Sequence, residues 1–326
     1  MPLNTSAIQR NQAIDLLKII AMLGVISLHC NMDRLDNPVA FVLSRIAGIS
    51  VPLFFMVSGF LLIEKDGSWR YSIRKIWGIV RFVFICSFIF WLVHVIHHRQ
   101  IDILLFQVLF NSFIQKGPFW MFWYFGAMCL LYILLPLIKW GDKHIDHFLP
   151  KMILLLVCLD FIVFIMTFSF RWEYSVIQSF RIWNWLTYFS FGAIIHKYQV
   201  IDRRITPLVV VSMLLFVGFV YFCQSAIDGI EYFFTSPLCM IYASLLFILV
   251  VSHQIIHNRY ITLLSDLFLP VYTIHYFVIK AWHWAVDAQY AGLVTPLVDF
   301  LAISLLSLSL SFIIMRVPLS KQIFRI

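Results

Sequence analysis

The 326-residue chain is 62% hydrophobic and 12% charged, carries 33 phenylalanines and has a mean hydropathy of +0.91. Soluble domains run at about 45–50% apolar and 25% charged, so this composition sets aside a soluble globular protein in favour of a polytopic membrane protein. The net charge of +8 is better placed in short loops facing one side of a bilayer than on a nucleic-acid surface.

About 20 residues cross the hydrocarbon of a bilayer. Apolar runs between polar breaks give ten such segments, at 12–31, 46–63, 78–96, 120–138, 150–168, 182–196, 206–223, 236–252, 263–282 and 296–315. With the N-terminus inside, most of the 24 Lys and Arg residues fall on the inner side, which predicts cytoplasmic termini. The expected fold is all-α, one integral-membrane domain over residues 1–326. The first segment is too long and too polar for a removable signal peptide. The six cysteines show no paired spacing and read as structural thiols.

The first segment, NQAIDLLKIIAMLGVISLHC, carries Asp15, Lys18 and His29, and ionisable groups inside a bilayer usually mark function. Lys18 and His29 are close to three helical turns apart, so they share a face at a separation of roughly 16 Å, with Asp15 near the same stripe. An imidazole of ordinary pKa accepts a proton at neutral pH, the requirement for activating a hydroxyl. A satisfied interfacial histidine, a snorkelling Lys18 and a simple Asp15–Lys18 pair are the structural alternatives.

The second segment ends VPLFFMVSGFLLI, where Ser58 and Gly59 permit close helix packing. Trp69 to Arg81 follows on the inner surface and brings Arg70, Arg74 and Lys75 together, a patch suited to substrate phosphates or to the anionic leaflet. Residues 101–114 are too short to span and are expected to form an interfacial or re-entrant helix that covers a site. Trp123 and Tyr124 open the fourth segment as cavity lining or as an aromatic belt. Asp160 lies mid-span in the fifth and must pair or line water. Glu173, Asp228 and Glu231 are outer-loop acids, suited to sugar hydroxyls or simply solvent-facing. The ninth segment carries His275 at a depth similar to that of His29. His94, His97 and His98 have no acidic or thiol companion at metal-ligand spacing, and there is no HExxH, P-loop, Rossmann fingerprint or GxSxG, so no metal site is expected.

The blocks AIDLLKIIAMLGVISLHC, VPLFFMVSGFLL, RYSIRKI, FWYFGAMCLLYILLPLI and PVYTIHYFV, in this order, resemble the bacterial integral-membrane acyltransferase family 3. That family includes O-acetyltransferases of surface polysaccharides, and the chain looks most like its short form without an appended periplasmic esterase-like domain, similar to the enterobacterial common antigen acetyltransferase. The resemblance implies a multi-pass protein of the bacterial inner membrane with no permanently bound cofactor. It would use acyl-coenzyme A, commonly acetyl-CoA, from the cytoplasm and deliver the acyl group to a hydroxyl of a glycan or lipid-linked glycan. Lys18 and His29 match the family's basic-residue-x10-His element, which makes His29 essential. Arg70 and Arg74, with Lys75, match its donor-phosphate motif, and Ser58 its SGF element. His275 falls where many members carry a histidine, and is grouped with Trp123, Tyr124 and Asp160 as candidate acceptor or pore lining. Lys18 stands where Arg is frequent and Trp77 where a proline is expected. His29 either deprotonates the acceptor directly or first takes the acyl group itself. A membrane transporter of polysaccharide or small metabolites is the competing class, although paired broken segments are not evident. Oligomeric state is not legible in an exterior that lipid requires to be apolar.

Overall fold

A helix that is apolar on every side is enclosed either by lipid or by other helices, and the segment ending VPLFFMVSGFLLI is of this kind. In the structure, a computed structural model describing residues 10–30, 38–100, 102–223, 226–227, 229–253, 255–290 and 296–324, that segment is the centre of the bundle. The chain runs α1 (Gln12–Leu28), α2 (Pro38–Ile46), a 3-10 turn (Ala47–Ile49), α3 (Ser50–Leu62), α4 (Trp69–His98), α5 (Leu105–Phe113), α6 (Trp123–His144), α7 (Phe148–Phe170), α8 (Ile182–Lys197), α9 (Thr206–Cys223), α10 (Pro237–Ser252), α11 (Arg259–Asp266), α12 (Phe268–Tyr290), α13 (Pro296–Ile314) and α14 (Pro318–Ile323). The most apolar stretch of Pro38–Leu62 is 67% inside the protein, against 22% for α7, α9 and α13, which turn bare leucine, isoleucine and phenylalanine outward. The protein is an all-α polytopic membrane protein. All six cysteines are free.

Side chains readable in the sequence set the helix starts. Asn11 accepts from the amides of Ala13 (3.0 Å) and Ile14 (3.3 Å), Ser68 from Tyr71 (3.2 Å), and Ser236 from Cys239 (3.3 Å) with Pro237 at the first helical position. Each satisfies an amide the helix leaves open.

All ten expected segments are helical, but three have different limits. The second begins at Pro38, because the 3-10 turn at Ala47–Ile49 continues α2 into α3. The third begins at Trp69, capped by Ser68, so Arg70, Arg74 and Lys75 stand on the first turns of a 30-residue helix rather than on a separate surface segment. The ninth is a bent pair, with a 57° break between α11 and α12. Among the described residues, six helices are long and apolar enough to cross a membrane, seven with that pair. The remaining three, α1, α8 and α10, have 17, 16 and 16 residues and pack against α3, where protein replaces lipid.

Helix α3 is held by backbone proximity. A Cβ on Gly59 would stand 1.8 Å from the Phe189 carbonyl oxygen, and one on Gly192 would stand 1.9 Å from that of Met56. The two glycines thus let α3 and α8 touch main chain to main chain, the packing that membrane helices use in place of a hydrophobic driving force.

At the Lys18 end, α1 is clasped to α11. Asp15, 2% exposed, accepts from the Arg10 guanidinium and from Ser265 Oγ at 2.7 Å, and Arg10 also reaches Asp266 at 2.9 Å. A buried carboxylate with this many donors is a fixed joint.

Candidate functional site

Helix α1 ends one residue before His29, whose amide donates to Ile26 O at 3.0 Å. The imidazole therefore leaves the helix end instead of lying along its flank. It stands edge-on to Trp120 at 5.2 Å between ring centres and is stacked on His275 at 5.5 Å and 21°. His275, 1% exposed, lies within donating distance of Tyr272 O (2.8 Å) and Val271 O (3.2 Å) through Nδ1. Carbonyl oxygens only accept, so Nδ1 carries the proton and Nε2 the lone pair. That Nε2 is buried without a partner.

His29 forms part of the wall of a cavity of about 260 Å³ together with Phe54, Gln115, Trp120, Trp123, Tyr124, Gln178, Glu231, Phe234 and Tyr272, among others. The Tyr272 hydroxyl donates to Met121 O and locks α12 to the entry of α6. Ser58 gives its hydroxyl proton to Phe54 O (2.9 Å), which leaves Tyr124 OH as the donor across the 3.3 Å contact to Ser58 Oγ. The wall is mostly apolar with a few convergent polar atoms, the usual make-up of a small-molecule site.

The sequence-predicted residues divide between the two ends of the bundle. Trp123 and Tyr124 line the cavity. His275 does not; it lies behind His29 and supports its ring. Lys18 and Asp15 stand at the far end of α1, with Lys18 Nζ 3.7 Å from Asp15 Oδ1. Ser58 sits beneath Tyr124 and not with the basic residues. Arg70 and Arg74 are exposed, and the Arg74 guanidinium lies 5.7 Å from the centre of the Tyr71 ring. Tyr71 meets Tyr132 at 6.4 Å, and Tyr132 lies eight residues along α6 from Tyr124, so tyrosines lead from the basic turns toward the cavity wall. His94 does have an acidic companion, since its Nε2 lies 2.8 Å from Asp102 Oδ1; the helix end and the loop after it bring together what spacing kept apart. Asp228 lies outside the described residues.

Asp160 does not reach the cavity either, because it faces α8. It is fully buried, accepts from the Thr187 hydroxyl through Oδ2, and has Oδ1 unpartnered. Further along the α7–α8 contact, Glu173 is also fully buried. It is no solvent-facing acid, for it accepts from Trp183 Nε1 at 3.2 Å and Thr235 Oγ1 at 3.5 Å. Burial pushes the Glu173 carboxyl above its ordinary value, against the opposing Arg181 charge. The folded chain then holds this proton to higher pH than the unfolded chain. Its stabilising contribution is complete below the ordinary glutamate value of about 4.3 and is lost as pH rises through the raised one. Glu173→Gln is expected to flatten the fall of melting temperature between the ordinary and the raised value and to leave the melting temperature below the ordinary value without that pH dependence, as read by thermal melts across pH.

Gln115 and Gln178 were not singled out in the sequence, since neither charge nor periodicity marks a glutamine. The one local signal is the turn QKGP at 115–118. There Gln115 holds a left-handed backbone, φ 61°, at a cost of roughly 1 kcal/mol for a residue with a Cβ. Its Oε1 accepts from the Gln178 amide at 3.1 Å.

A family model described as an acyltransferase domain matches residues 11–316. No curated protein and no solved structure matches the chain.

Proposed function

The chain belongs to acyltransferase family 3 and is an acyltransferase, and from that premise we propose that it moves an acyl group, most simply acetyl, from cytoplasmic acyl-CoA to a sugar hydroxyl of a surface glycan or its lipid-linked precursor at a bacterial inner membrane. The observation that carries the site assignment is the His29–His275 pair, with one ring in the cavity wall and the other buried behind it.

In this reading donor phosphates dock on Arg70, Arg74 and Lys75 at the start of α4, and the thioester travels along the bundle to His29. As the acceptor oxygen attacks the thioester carbon, His29 takes its proton. The carbon–sulfur bond breaks, and the proton passes to the departing thiolate to give free CoA. The His275 ring stacks on the imidazole that takes the proton and holds it in the cavity wall. Its Nδ1–H is committed to two carbonyls, which fixes that orientation.

The donor assignment has its own test. Loss of Arg74 removes binding energy made equally in ground and transition states, so Arg74→Ala should raise KM for acetyl-CoA by about tenfold and leave kcat within about twofold. Steady-state kinetics in detergent or liposomes reads this; a fall in kcat at unchanged KM would remove Arg74 from donor binding.

A further inference from the structure

A second hollow lies against the other side of the helix that carries His29. On α1, Ile20, Leu23, Gly24 and Ser27 recur at helical spacing along one face and line a groove of about 380 Å³, together with residues of α2, the 3-10 turn, α3, α10 and α13. Val25, Leu28 and His29 lie on the opposite side and line the cavity of about 260 Å³ described above. The two hollows share the α1–α3 seam as a wall. A Cβ on Gly24 would stand 1.8 Å from Ser50 Oγ, so the seam is closed there, and the way from one hollow to the other leads over the last turn of α1, where Ser27 faces the groove and Leu28 and His29 face the cavity.

The groove is apolar throughout. Among its described lining residues none is charged, and its three hydroxyl protons are given to main-chain carbonyls, Ser27 to Gly24 O (2.7 Å), Ser50 to Ala47 O (2.6 Å) and Tyr242 to Ile46 O (3.4 Å). Water settles in a cavity only where several polar partners converge, so this one is a place for hydrocarbon. Leu43 on its rim is 42% exposed and opens it toward lipid. From Ile20 to Ser27 it follows α1 for about 10 Å, and a chain lying along it ends two residues from His29. A bulk lipid is held there by its tail alone. A lipid whose headgroup is the acceptor sugar is held by groove and cavity together, and the linkage raises the effective concentration of each part at its own site.

Resting on the acyl-transfer reading above, we infer that the acceptor is presented as a lipid-linked sugar, its hydrocarbon chain lying in the groove between α1, α2, α10 and α13 and its sugar passing over the last turn of α1 into the cavity beside His29.

The test uses the full chain in phosphatidylcholine nanodiscs, with dodecyl β-D-glucoside carrying a diazirine in its chain as the probe and phosphatidylcholine carrying the same diazirine as the bulk-lipid control. Photolabel from the glucoside should map to groove residues on α1 and α10 and exceed that from phosphatidylcholine by about fivefold or more at equal membrane fraction. Excess unlabelled dodecyl glucoside should suppress it, and methyl β-D-glucoside should not. Leu246→Trp, which fills the groove from α10, should abolish this labelling at a melting temperature within a few degrees of wild type. Leu305→Trp, on the open face of α13 where the native leucine is 64% exposed, should leave it intact. Acyl transfer from labelled acetyl-CoA is measured separately, and the KM for dodecyl glucoside should lie about tenfold or more below that for methyl glucoside in wild type but not in Leu246→Trp. Labelling outside the groove, equal labelling by the two lipids, or undiminished labelling of a folded Leu246→Trp protein would overturn the inference; if that variant does not fold, the wild-type comparison of the two lipids decides alone. Groove-specific labelling with no acyl transfer to either glucoside would instead overturn the acyl-transfer reading and leave the groove as a glycolipid site.

Discussion

His29→Ala should lower acyl transfer from labelled acetyl-CoA to a glycan acceptor by about 10³-fold, with the melting temperature shifted by no more than a few degrees. A positioned base contributes about 10²–10⁴-fold to a proton transfer, and no neighbour replaces this one, since His275 lies behind it, fully enclosed. Structurally the change is mild. His29 follows the last helical residue of α1, and its ring borders a cavity, so truncation removes an edge contact with Trp120 and the stacking on His275 without opening a void in close-packed protein. Label on glycan and release of free CoA should fall together. Undiminished transfer by the variant at saturating substrates would remove His29 from the chemistry, whichever of the two routes from thioester to hydroxyl operates.

Gly59→Ala and Gly192→Ala should each prevent accumulation of folded protein. The added carbon would meet a main-chain carbonyl oxygen of the opposite helix, at 1.8 Å for Gly59 and 1.9 Å for Gly192. No side-chain rotation relieves such a contact, so α3 and α8 must separate along their whole crossing. Overpacking against movable side chains costs about 1–3 kcal/mol, and a rigid backbone neighbour puts these two above that range. Gly218→Ala is the control. Nothing lies within 4 Å of its Cβ position on α9, and alanine in a helix interior is favoured by up to about 1 kcal/mol. Size-exclusion profiles and melting temperatures should therefore show loss for the first two and equal or slightly higher stability for the third. A well-folded Gly59→Ala protein would show that α3 and α8 do not approach so closely.

What the sequence discloses here follows from which interactions are local. Hydrophobic run length located the helices, and the caps Asn11, Ser68 and Ser236 are recognisable from residue type and position. The three changed limits arise where a local pattern is extended or broken by something it does not encode: the tightened turn at Ala47–Ile49, the amphipathic basic turns of α4, and the break at Leu267. The His29 position on α1 and the presence of His275 were legible, but not that one ring stacks on the other, because that depends on how α1 and α12 cross. Gln178 was out of reach altogether. Its place in the cavity wall depends on Gln115 and Trp185, distant in sequence or on another element, which bond its main-chain amide and carbonyl. Asp160 and Glu173 show the converse: their residue type drew attention, and the fold turned both toward the α7–α8 contact.

The short inner helices have a consequence for the distance a group must travel. Helix α1 has 17 residues and α4 has 30, or about 26 Å against about 45 Å, so α1 runs little more than half the length of α4. Lys18 and His29 are roughly 16 Å apart along α1, about half the 30 Å depth of the hydrocarbon. On the proposed reading, no carrier has to rock and no acyl group has to cross a full bilayer. A tethered arm from one side and a sugar from the other would then meet at a single imidazole.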